Sequence, residues 1–345
     1  MKHQIFHYIV GLLAICLLSA TFISCTNEAD EPTGDGRTAT IRLSIPMLEA
    51  KTRINVPTTD QESEIKTLRV IISNSDDAYI NKAFTAEEVK AGNLVIDNVP
   101  VGEVQMYVIA NEAALGKDYS DYNVWKEDVI DVPGHTHPKV LVTDTDRKYF
   151  PKRGSTTEFP ETGLPMSWEN LALTIDPPAS DGTPQEVKVE LMRAVAKLNI
   201  IMTNTLSNDI VIDRMGFGPF FSDRLYLFRE DALSVPDGTE YVVKDYDGVS
   251  ITVPKEGGSA QLALYVYPSA AAVEGQANPY TIGFHTQAGF DYNKKPFLRN
   301  GLPLNGIARN TQVNIYATLS SQANITVEFE VQEWKIETIE VPPFN

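Results

Sequence analysis

From Ala39 to Ile45 the chain alternates strictly, with Ala39, Ile41, Leu43 and Ile45 on one parity and Thr40, Arg42 and Ser44 on the other. Successive side chains of a strand point to opposite faces, so this pattern describes a strand with one buried face and one wet face. The same two-residue period returns at Ile65 to Ser73, Gly92 to Val99, Val104 to Ala110, Leu171 to Ile175, Val187 to Met202 and Ile210 to Phe217. It continues at Glu240 to Lys244, Val249 to Val253, Ala260 to Tyr267, Tyr280 to His285, Gln312 to Leu319 and Ile325 to Val331. Clusters of Pro, Gly, Asn and Asp separate these runs, as turns between short strands require. Helical spacing is scarce, with Thr85 to Lys90 the best short candidate and Tyr122 to Ile130 a weaker one. The expected fold class is therefore all-β, built as antiparallel β-sandwiches with short helical insertions.

Single hydrophobic cores seldom grow much beyond about 250 residues, so a chain of 345 residues has room for two. The Pro-, Gly- and Asp-rich stretch Asp176 to Gln185 reads as a linker or long exposed loop. It sets a first sandwich domain at residues 38–184 and a second at 185–345.

The beginning of the chain carries a different pattern. Lys2, an apolar run from Ile9 to Leu18, and small or polar residues ending at Cys25 make up a secretory signal over residues 1–24, with an apolar run too short to span a bilayer. Phe22-Ile23-Ser24-Cys25 resembles a bacterial lipobox, in which lipid is attached to the thiol and the signal is cut just before it. Cys25 is the expected lipidation site. The only other cysteine, Cys16, lies in the apolar run, which leaves the exported chain no thiol pair for a disulfide, a redox motif or a metal cage. Residues 25–37 are acidic and poor in apolar side chains, the composition of a flexible tether. No later apolar stretch reaches the ~18 residues that a membrane helix needs. A net charge of −17 argues against nucleic acid or an anionic membrane surface as partner.

Motifs that carry chemistry are scarce. His135-Thr-His137 has a spacing that presents two imidazoles to a metal, yet no third ligand adjoins and Gly134 and Pro138 make it a loop, so two solvated histidines are expected. There is no GxSxG, phosphate loop, HExxH, dinucleotide fingerprint or calcium loop. Asp76-Asp77, and Asp118 with Asp121, read as solvated turns in an acidic chain. No catalytic, cofactor or metal site is expected, and the chain is not expected to be an enzyme. Tyr122, Trp125 and Trp168 are eligible as glycan platforms, although aromatic residues like these more often belong to a core. A surface glycan-binding adhesin lipoprotein is the second reading.

Six segments in order along the chain carry a family resemblance: Tyr107-Val-Ile-Ala-Asn111, Leu164-Pro-Met166, Leu191-Met-Arg-Ala-Val-Ala-Lys-Leu-Asn199, Leu264-Tyr-Val-Tyr-Pro268, Arg309-Asn310, and a last strand ending at Trp334. Together they resemble the FimA-type fimbrillins, or type V pilins, and their associated lipoproteins of Bacteroides-type bacteria. The resemblance implies two transthyretin-like β-sandwich domains, export as a lipoprotein to the outer face of the outer membrane, cutting by a trypsin-like protease, and assembly into a fimbrium by donor-strand exchange. It implies as partners other fimbrial subunits, outer-membrane lipid through Cys25, the processing protease, and host or bacterial surface ligands.

On this sequence the strand to be displaced is Ala39 to Ile45. At ~2 kcal/mol per buried side chain, losing Ala39, Ile41, Leu43 and Ile45 costs roughly 8 kcal/mol, comparable with the ~5–15 kcal/mol that stabilises a whole domain. A neighbour's strand would have to refill the groove. The cut belongs in the loop from Met47 to Glu64, whose only basic residues are Lys51 and Arg53. Arg53 best matches the family's position, with Lys51 the alternative. The donor candidates are Ile336, Ile339, Val341 and Phe344 within residues 335–345. Ile336 and Ile339 differ in parity, so the segment needs a bulge to bury both on one face. It either donates a strand or closes its own domain, and shaft, tip and anchor roles all stay open.

Overall fold

The computed structural model describes residues 37–46, 59–73, 78–154, 159–230, 233–321 and 325–334. The described residues from Thr38 onward form one compact unit. Strands hold 54% of the residues and helices 7%, so the fold is all-β.

Two sheets enclose the first core. A three-stranded sheet is ordered β10 (Gln185–Lys188), β1 (Thr38–Ser44), β4 (Val95–Pro100). Facing it is a five-stranded sheet ordered β11 (Met192–Arg193), β9 (Met166–Ile175), β5 (Gly102–Ala110), β2 (Thr67–Ser73), β3 (Ala78–Thr85). Ile41 and Leu43 from one sheet meet Leu68, Val70, Ile72, Met106 and Val108 from the other in a single buried cluster. Alternation at period two thus becomes two apolar faces pressed together.

A second pair of sheets follows the same logic. The larger is ordered β20 (Leu302–Pro303), β19 (Leu298–Arg299), β22 (Ile325–Glu333), β21 (Thr311–Leu319), β12 (Ala196–Asn204), β16 (Gly258–Val266), β8 (Lys152–Gly154). The smaller is ordered β15 (Tyr241–Val253), β13 (Ile210–Ser222), β17 (Thr281–Thr286), β18 (Asp291–Pro296). Leu198, Ile200 and Met202 of β12 pack with Phe217, Ile282 and Phe284 between them.

A third cluster covers the outer face of the five-stranded sheet. Ile71, Tyr107 and Ile109 project from that sheet toward Trp125, Val140, Leu227, Tyr265, Tyr267 and Trp334. A small sheet of β14 (Arg224–Tyr226), β7 (Lys139–Thr143) and β6 (Val129–Ile130) lies in this region.

The helices are short: α1 (Thr59–Ser63), α2 (Ala86–Ala91) and α3 (Tyr122–Asp128). Thr85 caps α2 through the Glu88 main chain while the Glu88 side chain returns to Thr85, and Gly92 ends the helix in the left-handed conformation (φ 65°) that favours glycine.

Several boundaries differ from the periodic reading. The single run Val187 to Met202 is three strands, β10, β11 and β12, each in a different sheet. Residues in it stay buried as the chain passes from sheet to sheet, so the alternation hides the crossings. The two runs at 240–244 and 249–253 are one strand, β15, whose ladder to β13 shifts register twice. Strands β3, β6, β7, β8, β14, β18, β19 and β20 are additions. In β18 only Tyr292 is buried, so this edge strand has almost no apolar signal.

Candidate functional site

Strand β1 is a middle strand with no sequence neighbour on either side. It runs parallel to β10, with Ile41 opposite Gln185 and Leu43 opposite Val187, and antiparallel to β4, with Thr38 opposite Pro100 and Ile41 opposite Ile96. A bulge between Ala39 and Ile41 interrupts the second ladder. Past its end, the Leu43 amide donates to the Leu94 carbonyl (2.9 Å) and the Val189 amide to the Ser44 carbonyl (2.9 Å).

Ala39, Ile41 and Leu43 are buried, while Ile45 is half-buried against the same core, less than the pattern anticipates. On the wet face Thr40 donates to Asp97 (2.9 Å) and Arg42 is exposed. Ile41 and Leu43 alone contribute about 3–6 kcal/mol of burial. Without β1, both β10 and β4 would show open edges over an apolar floor, an arrangement that takes up any extended strand of matching alternation.

A second feature lies at the C-terminal end of the Met47 to Glu64 stretch, in α1, and nothing in the sequence marked it. Glu62 of α1 is 2% exposed and receives three hydrogen bonds: from Lys197 Nζ (2.6 Å), the Tyr265 hydroxyl (2.7 Å) and the Trp334 indole N–H (3.2 Å). Arg193, which is fully buried, donates to the Glu62 carbonyl (2.9 Å), the Ser63 hydroxyl (2.6 Å) and the Trp334 carbonyl (3.2 Å). Its guanidinium lies 4.2 Å from the Trp334 ring centre, and Tyr265 stacks on that ring at 5.8 Å and 8°. Burial lowers the Arg193 pKa to about 10, with Glu62 opposing the shift. Burial and then the Glu62 carboxylate push the Tyr265 phenol far above its ordinary value. One carboxylate here serves two cations. The surplus guanidinium charge is spread over main-chain carbonyls and a hydroxyl, so that each of the three Arg193 nitrogens has a hydrogen-bond partner.

The segments that carry the resemblance converge on ties of this kind. Asn111, with left-handed φ of 59°, accepts from the Lys66 and Thr67 amides and donates to the Glu64 and Leu164 carbonyls. Arg309 donates to Ser167 and to the carbonyls of Met192, Arg193 and Leu227, joining three distant stretches. Burial lowers its pKa to about 10, opposed by Glu169. Glu169 itself is raised to about 7, chiefly by burial, with Lys139 opposing and Glu230 adding to the rise. Arg193, Lys197, Tyr265 and Trp334 were each visible within those segments, but Glu62 sits in a polar stretch with no periodic signal.

Other expected residues fall apart from the site. Cys25, Lys51 and Arg53, and the donor candidates Ile336, Ile339, Val341 and Phe344, lie outside the described residues. His135 and His137 are exposed between β6 and β7. Trp125 is buried edge-on against Tyr107 and Tyr119, and Trp168 and Tyr122 are packed against the first and third cores. None of the three is a free aromatic platform. Asp118 binds the Ser120 amide and Asp121 caps α3, so both carboxylates serve the local backbone. Among the described residues no group of three or more His, Cys, Asp or Glu side chains is placed to hold a metal, and no helix is long and apolar enough to cross a membrane.

The fold defines a β-rich module whose distinguishing features are a middle strand without sequence neighbours and a set of buried polar ties. The family described as major fimbrial subunit protein (FimA) matches residues 39–213, half of the chain, and the chain belongs to that family. It is a fimbrial subunit, placed at the cell surface and associated with other fimbrial components.

A candidate cell adhesion protein of Bacteroides eggerthii aligns with a TM-score of 0.50 and 14% identity over 88% of this chain and 98% of that one. At that identity the likeness shows the fold. The tip fimbrial protein Mfa3 of Porphyromonas gingivalis, truncated at its C-terminus, aligns at 0.49 and 13% identity over 86% and 98% of the two chains. A fimbrilin (FimA) of the same organism aligns at 0.46 and 11% identity over 87% and 98%. No curated protein matches the chain significantly.

Proposed function

We propose that this fimbrial subunit is a building block with an exchangeable first strand. It reaches the outer face of the outer membrane as a lipoprotein held through Cys25. A trypsin-like protease cuts after Arg53, with Lys51 the alternative, and releases β1. A strand from a neighbouring subunit then lies between β10 and β4, and residues 335–345 supply that strand to the next subunit. Ile336, Ile339, Val341 and Phe344 fill the groove, with a bulge reconciling their parity. The two sandwiches act as transthyretin-like domains, with β10 and β11 completing the first rather than opening the second at residue 185, and the assembled fibre presents the surfaces that adhere to host or bacterial ligands.

The observation that carries this reading is the standing of β1. It is buried as deeply as any core strand, yet ladder bonds, apolar contacts and one exposed hydrogen bond from Thr40 to Asp97 are what join it to β4 and β10 among the described residues. Its departure breaks no hairpin, and it leaves a groove that main-chain hydrogen bonds and alternating side chains refill.

The test is mass spectrometry of protein recovered from cells, beside a variant carrying Lys51→Ala and Arg53→Ala. Unassembled subunits should begin at a lipid-modified Cys25 and fimbrial subunits at Ile54, and the variant should stay folded and monomeric. Polymer ladders from the double variant, or fimbriae whose subunits keep residues 38–46, would contradict the proposal.

A further inference from the structure

The buried cluster around Glu62 joins two places that the proposed assembly uses. Residues 54–61 separate the Arg53 site from Glu62 and Ser63, and Trp334 immediately precedes the segment 335–345. The cluster therefore holds both the stretch that follows the cut and the residue from which the C-terminal segment departs.

Trp334 is held at every group it offers. Its amide donates to the Asn310 carbonyl (3.1 Å), its carbonyl accepts from Arg193, its indole N–H binds Glu62, and its ring packs on Arg193 and Tyr265. Glu62 and Ser63 are gripped by Arg193 and Lys197 of the second half through side chain and main chain alike. Apolar packing tolerates sliding, but a carboxylate shared among three donors in a dry site fixes one arrangement. Cutting at Arg53 thus frees β1 without loosening α1.

We infer that Glu62, Arg193 and Trp334 form a clasp that fixes the departure point of the C-terminal segment, so that a processed subunit can present it to the next groove. Glu62 and Arg193 are positioning residues: they set where the segment starts, and the groove between β10 and β4 does not depend on them. The inference rests on the assembly reading above, and it separates the two roles of one subunit. Disturbing the clasp should weaken the subunit as a donor and leave it intact as an acceptor.

The test uses the full chain, processed by a trypsin-like protease, as wild type, Glu62→Gln and Trp334→Phe. The phenylalanine variant keeps an aromatic ring for stacking and loses only the indole N–H, so it covers the case in which the buried glutamine misfolds. Donor function is read as the rate of ladder growth, and acceptor function as binding of a synthetic peptide of residues 335–345. Both variants should grow ladders about ten-fold more slowly, the scale of one lost hydrogen bond to a charged group, while binding the peptide as wild type does. Equal losses of peptide binding and ladder growth would make the cluster a general stabiliser and overturn the inference. Unchanged ladders would overturn it too. If wild type neither binds the peptide nor forms ladders, the assembly reading fails and the clasp loses its role with it.

Discussion

Strands β1 and β12 are both middle strands, and their inward side chains are equally dry: Ile41 and Leu43 in one, Leu198, Ile200 and Met202 in the other. Their ladders differ. β12 is paired from Ala196 to Asn204 with β16 and from Lys197 to Asn204 with β21. β1 is registered with β10 only from Ile41 to Ser44, and its ladder to β4 is broken by a bulge. Both strands meet their ladder partners only across long stretches of sequence, but β12 is flanked closely in the chain by β11 and β13, whereas residues 45–66, which include Arg53, separate β1 from β2. Depth of burial therefore says how much a strand contributes, and ladder length and connection say whether another strand can take its place.

The largest expected effect tests that distinction. Ile41→Ala and Ile200→Ala should each destabilise the uncut protein by about 2–5 kcal/mol. After the cut and refilling of the groove, Ile41→Ala should cost nothing, because its strand has gone, while Ile200→Ala keeps its full cost. Chemical denaturation of cut and uncut forms reads the difference. An Ile41 effect that survives processing would remove the contrast between the strands.

A second effect concerns the seam where Glu169 of β9 faces Lys139, Glu230 and Arg309. Its pKa in the fold, about 7, lies above the ordinary 4.5. The folded state therefore holds this proton more tightly than the unfolded one, and stability is lost as pH rises from about 4.5 through 7. Glu169→Gln should raise the melting temperature by several degrees at pH 8, on the scale of about 3 kcal/mol, and change it little at pH 4. A gain that is the same at both pH values would contradict the assignment. The smallest effect is local to the first half: Thr85→Ala removes the cap of α2 and should cost about 1 kcal/mol, with midpoints of cut and uncut protein shifted alike.

Much of this was legible because period two is a direct consequence of one-sided burial. Ala39, Ile41 and Leu43 announced β1 and its inward face, and the helical spacing from Thr85 to Lys90 announced α2. What alternation does not carry is partnership. Val187 to Met202 stays rich in apolar residues while crossing three sheets, its parity changing between Leu191 and Ala196, and β18 is a strand by its ladder to β17 although its side chains are mostly polar. The clasp was hidden for a related reason. Glu62 and Trp334 are joined by a hydrogen bond between residues far apart in sequence, and a lone glutamate among polar neighbours looks solvated until the fold dries it.

Main-chain hydrogen exchange tests the exchangeable strand most directly. In the subunit cut after Arg53 and separated from residues 38–53, amides of β4 and β10 should exchange much faster than in the intact chain, while those of β12 and β21 should not change. Adding a peptide of residues 335–345 should restore protection to β4 and β10. If β4 and β10 stay protected once β1 has left, or if β12 and β21 open to the same extent, the first strand is not the replaceable element and the account is wrong.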